Sequence, residues 1–296
     1  MSESVTQTAL IEDCLAIMLV SDQICEAFKE VAQDHANFAQ FGSVTDISAG
    51  FPVQLLEKYR DNWDSHKKPE EEIGFRSAPL VPKTKPESIL AFVLGWLCHR
   101  AAEHHLKPET AESGMYRDAF LFHRLYVNNS KTPEPYRTEA YDKRAKGLPA
   151  SASISSGDVQ ELFQVIQQRL LIEMHTFVPD VEDIEGWLDR LHAKYQERAA
   201  YMDNYAEAVM NPDPAKVQQL VTDMNFYDDE DAIIQLAQAI RQGRKPSQET
   251  IEAAFAAEPG SSYAKALKEG FGNLRNASVF FSGGIESNKL NKLLAV

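Results

Sequence analysis

The sequence predicts an all-α protein, and three observations carry that prediction. Apolar residues recur at helical spacing over long stretches of the 296-residue chain. No stretch alternates apolar and polar residues with a period of two over several consecutive strands, and no repeat of fixed length is visible. Helix-start signals also bracket the apolar stretches, among them Pro86 in a first turn and the Ser155-Ser156-Gly157-Asp158 cap.

Taken in order, Thr8 to Val31 carries Leu10, Cys14, Ile17, Met18, Ile24, Cys25, Phe28 and Val31, the pattern of an amphipathic helix nicked around Ser21-Asp22. Gly42 and Ser43 end the next helical stretch and leave Asp46 in the loop beyond. Gly50 to Asn62 reads as a short helix, and Trp63 to Lys85, rich in Pro, Lys and Glu, as an exposed connection. The central helix starts at Pro86 and runs through an apolar core to Lys107-Pro108. Glu112 to Asn128 is the next helix. The polar stretch from Asn129 to Ser156 is an internal boundary or a long loop over a site. Helices through Val178 and over Pro179 to Met210 follow, and the C-terminal third alternates short helical patterns with Pro and Gly. Residues 1–210 are expected to form the main helical domain. Residues 211–296 are expected to be a C-terminal helical extension packed on it.

Charge narrows the function classes. With a net charge of -14, the surface repels phosphate backbones, and no local basic patch offsets that, so nucleic acid is excluded as a partner. The longest apolar run, Ile89 to Cys98, is short of the ~18–20 residues that span a bilayer, so no transmembrane segment is expected. The start of the chain lacks the basic and apolar regions of a signal peptide. Cys14, Cys25 and Cys98 have no paired spacing, which suits a reducing, cytoplasmic location.

The central helix closes on His99, Glu103, His104 and His105. At ~100° per residue, Glu103 lies only about 40° round from His99, so both side chains reach one point. His104 falls about 140° away and His105 about 120° away on the other side, so neither easily shares a metal with His99 unless the helix ends there and its distorted end brings one of them in. A His and a carboxylate one turn apart suit zinc, but a hydrogen-bonded core histidine has the same spacing. His35, Asp46 and His66 sit at element ends or in loops where ligands are often placed. His123 falls on the apolar face of its helix.

Two segments carry a family resemblance. His35-x-x-Phe38-x-x-Phe41-Gly42-Ser43-Val44-x-Asp46-Ile47 is followed by Leu94-Gly95-Trp96-Leu97-Cys98-His99, then Glu103 and Pro108. Together they resemble the bacterial zinc-dependent phospholipase C family, mainly over residues 30 to 125. That resemblance implies a multi-helix bundle and one or more zinc ions that activate water for phosphoester hydrolysis. It implies metal ligation by His35, Asp46, His99 and Glu103, with His66 and His123 as additions. Asp46 and Glu103 would be the catalytic groups, and the substrate a small-molecule or lipid phosphoester.

The sequence departs from the family pattern at Thr45 (for proline), Glu103 (for aspartate) and Lys107 (for a second histidine). The third departure is the serious one, because an ammonium cannot ligate a metal while charged. A helical binding or structural protein that has kept the fold and lost catalysis is the alternative. A di-metal carboxylate oxidase lacks its paired Glu-x-x-His motifs here.

Overall fold

The structure, a computed structural model, describes residues 4–43, 50–60, 63, 86–127 and 212–294. Among these residues it is helical throughout, with no strand, as the all-α prediction requires. The α-helices are α1 (Ser4–Val20), α2 (Glu26–Asp34), α3 (Ala36–Ser43), α4 (Gly50–Arg60), α5 (Pro86–His105), α6 (Ala111–Leu121), α7 (Pro214–Gln218), α8 (Ala232–Arg241), α9 (Gln248–Ala256), α10 (Ser262–Phe281) and α11 (Ser287–Leu293). π-helical turns at Phe122–Val127 and Gln219–Asp223 extend α6 and α7. Asp46, His66, the 129–156 loop and the helices expected over 158–210 lie outside the described residues.

Helix α5 is the axis of the fold. Every residue from Leu90 to His99 is buried, so the helix is covered on all sides rather than on one stripe. It packs most extensively against α3 and α10, and α1 lies against both α5 and α10. The α3–α5 contact is a close one, made possible by two glycines. A Cβ on Gly95 would stand 1.8 Å from the Ala39 carbonyl oxygen, and one on Gly42 would stand 2.0 Å from that of Phe92. Only residues without side chains let the two backbones approach this far. Because His35, just before α3, meets Ser88 near the start of α5 while Ser43, at the end of α3, meets His99 near the end of α5, the two helices run in the same direction.

The nick expected at Ser21-Asp22 is the turn between α1 and α2, and α5 starts at the proline that announced it. Two expectations change. Helix α1 is not amphipathic in place: Val5 to Met18 are all buried, polar residues included. Its polar groups are matched by partners distant in sequence. Asp118 on α6 accepts hydrogen bonds from Thr6 N (2.7 Å), Thr6 Oγ1 (2.6 Å) and Val5 N (3.3 Å), capping the first turn from outside the helix. Arg241, the last residue of α8, donates to Asp13 and lies 3.5 Å from Glu12 Oε2. Gln40 Nε2 donates to Glu12 Oε1 at 3.2 Å, and the Tyr263 hydroxyl donates to Asp13 Oδ2 at 2.8 Å.

The second change concerns the C-terminal third, whose expected short helices include one of 20 residues, α10. Gly270 interrupts the sequence pattern but not the helix. It faces Cys14, and a Cβ there would meet the Cys14 Sγ at 2.9 Å. Tyr263, Leu267, Phe271 and Leu274 are fully buried in the same apolar cluster as α1 and α5. No helix among the described residues is long and apolar enough to cross a membrane.

Candidate metal centre

His99 is held from two sides. Its ring is 3% exposed, and Nδ1 donates to the carbonyl oxygen of Ser43 at 2.9 Å. A carbonyl only accepts, so Nδ1 carries the proton, and in the neutral ring Nε2 keeps the lone pair. Nε2 faces Glu103 Oε1 at 4.0 Å, longer than a hydrogen bond. Glu103 is 42% exposed, so the pair runs from the core to the surface. A metal-bound histidine has this arrangement: the ring is oriented through one nitrogen by a backbone carbonyl and presents the other to the ion.

Ser43 supplies that carbonyl because α3 ends there. Its hydroxyl bonds back to the Gln40 carbonyl at 2.7 Å, and the glycine contact holds α3 along α5. The local sequence therefore sets the ring's orientation. Asp46 follows Ser43 by three positions in the sequence.

His35 lies elsewhere. It follows α2 and hydrogen-bonds through Nδ1 with Ser88 Oγ at 3.1 Å, near the start of α5. Ser88 and His99 are about 16 Å apart along the helix axis, so His35 and His99 stand at opposite ends of the α3–α5 contact. A zinc–nitrogen bond spans only about 2 Å, and one ion does not join them. His123 is half-buried in the π-helical turn after α6, its ring edge-on to Phe122 with centroids 5.9 Å apart. Lys107 is exposed just past the end of α5.

The described residues contain one group of three or more ligand-type side chains whose donor atoms lie within 4.8 Å of one another: His104, His105 and Glu269. Helical spacing alone turns the two histidines away from His99 and gives no reason to single out Glu269. The only local signal was the histidine pair at a helix end, and its third member comes from α10. His35, His99, Glu103 and His123 form no such group among the described residues. Comparison with protein-family models, curated proteins and solved structures finds no match to this chain, so the functional reading rests on these residues.

Proposed function

We propose that the protein is a zinc-dependent hydrolase acting on a phosphoester, with chemistry like that of phospholipase C, and that His99 and Glu103 are zinc ligands. The observation that supports this is the Ser43 carbonyl on His99 Nδ1, which orients the ring with Nε2 towards the Glu103 carboxylate. The donor set of one imidazole nitrogen and one carboxylate oxygen suits zinc. Asp46 and His66 are proposed to complete the set, on the family resemblance alone.

A zinc ion there supplies Lewis-acid polarisation of a phosphoryl oxygen and lowers the pKa of nearby water. The chain's own residues do the rest. Ser43 and the walls of α3 and α5 hold His99 in one orientation and keep water from its buried edge. Glu103, at the surface, meets the substrate side and can accept a proton in the reaction. The net charge of -14 disfavours polyanionic substrates and suits a small or lipid phosphoester with few charges.

The reading as a helical binding or structural protein without catalysis is favoured by His35, which pairs with Ser88 at the far end of α3. Lys107 favours it too.

The test is elemental analysis of protein purified without added metal or a metal-binding tag, together with the His99→Ala variant. We expect at least one equivalent of zinc in the native chain, about one equivalent less in the variant, and loss of phosphodiesterase activity. Less than about half an equivalent of transition metal in the native protein, unchanged by reconstitution, would rule out the hydrolase.

A further inference from the structure

We infer that His104, His105 and Glu269 form a second divalent-metal site, distinct from the His99–Glu103 pair, that ties the end of α5 to the middle of α10. His104 and His105 are the last two residues of α5. Their rings lie against each other, with centroids 4.3 Å apart and planes tilted by 30°. His104 reaches Glu269 Oε2 through Nδ1 at 2.9 Å, and His105 reaches the same oxygen through Nε2 at 2.7 Å. Consecutive residues on a helix point about 100° apart, so both rings meet one carboxylate only because the helix ends here and each uses a different nitrogen.

Two imidazole nitrogens and a carboxylate oxygen are the protein ligands of many zinc sites that leave one position for water. Without an ion, a single oxygen accepts two N–H groups, and these protons occupy the region where a cation would sit. On binding, each neutral ring moves its proton to its other nitrogen, and the pair of electrons freed on Nδ1 of His104 and on Nε2 of His105 is donated to the ion. No proton is lost from a neutral site. The C-terminal end of α5 carries the negative pole of the helix dipole, which further favours a cation.

The group is accessible, with His104 66% exposed and Glu269 34% exposed. By the helical arithmetic, His104 and His105 lie on the opposite side of α5 from His99. The inference therefore stands whether or not the proposed hydrolase does. The ligand class is a borderline transition-metal ion such as Zn²⁺, since hard ions such as Ca²⁺ and Mg²⁺ prefer oxygen sets.

The experiment is calorimetric titration of chelator-stripped, tag-free full-length protein with Zn²⁺, repeated with Co²⁺ and read by its visible absorption. Glu269→Gln and His104→Gln are each expected to weaken one zinc site by roughly a hundredfold or more, because losing even an outer-sphere partner costs about 10–100-fold. Both variants should also lose the corresponding cobalt band, while His99→Ala keeps that band. Circular dichroism matching the native chain shows that each variant is folded, and the exposed His104 provides a variant with little packing to lose. Unchanged zinc affinity and stoichiometry in both variants, or no zinc bound by the native chain at the band His99→Ala retains, overturns the second site. Loss of the first site alone, in His99→Ala, bears only on the hydrolase.

Discussion

At the scale of single residues, the buried phenol of Tyr263 makes a prediction with a definite sign. Burial and then the Asp13 charge push its pKa well above the ordinary 10.0. In the folded chain the phenol stays protonated where the unfolded chain's phenol ionises, so above about pH 10 the unfolded state binds fewer protons. This contribution to stability is complete below that pH and is lost as pH rises beyond it. The same direction holds for Tyr227, raised mainly by burial. Tyr263→Phe should flatten the loss of stability above pH 10 in chemical denaturation. At neutral pH it should cost about 1–3 kcal/mol, because a buried acceptor on Asp13 loses its donor. An alkaline limb with the same slope in the variant would show that Tyr263 does not titrate as argued. His99 shows what single-residue reading can and cannot reach. Its i,i+4 carboxylate was legible from spacing, but the Ser43 carbonyl that sets its tautomer is a backbone contact 56 positions away and leaves no mark in composition.

Among the elements, the Gly42–Gly95 contact fixes the site's geometry. Gly95→Ala should destabilise the protein by at least about 3 kcal/mol, beyond the usual cost of an added methylene, because its Cβ would meet backbone and not a flexible side chain. The measurement is the denaturant midpoint at unchanged m-value. His99 should lose its fixed orientation in the same variant, and with it the zinc affinity proposed for that site. Helices α1, α2, α3 and α5 were legible because their apolar residues repeat at helical spacing and Pro86 and the Ser21-Asp22 break mark ends. The length of helix α10 was not, because the Pro and Gly residues that precede it, from Pro212 to Gly260, set an expectation of short helices throughout the C-terminal third. Gly270 is there for the Cys14 thiol behind it, a reason that exists only once the helices are packed. Glu269 was illegible for the same reason. On its own helix it is one more acidic residue, and its partners are 164 and 165 positions away.

For the molecule as a whole, the buried set of Glu12, Asp13, Gln40, Arg241 and Tyr263 draws α1, α3, α8 and α10 together around the Arg241 guanidinium. Arg241→Met should cost about 3–5 kcal/mol in denaturant unfolding, since it leaves two buried carboxylates without their guanidinium. A cost below about 1 kcal/mol, within the range of an exposed ion pair, would mean water reaches the cluster. The all-α class was readable from periodicity alone, whereas the mutual burial of α1, α5 and α10 was not, because helical spacing reveals a face and not what covers it. The expectation that α1 was half-exposed failed on this point: its polar residues signal distant partners and not solvent.

The pairing of Asp13 with Arg241 also has a temporal side. The two residues are 228 positions apart, and a ribosome adding about 5–20 residues per second needs roughly 10–45 s to cover that distance. Through that interval α1 carries the adjacent carboxylates of Glu12 and Asp13 before Arg241 has been made. Its cap, Asp118, arrives about midway. Burying α1 before α8 is made would desolvate Glu12 and Asp13 without the Arg241 guanidinium, a cost that disfavours early closure around α1. Arg241 and then Tyr263 are the last members of that polar cluster to be made, so α1 gains its partners late in synthesis.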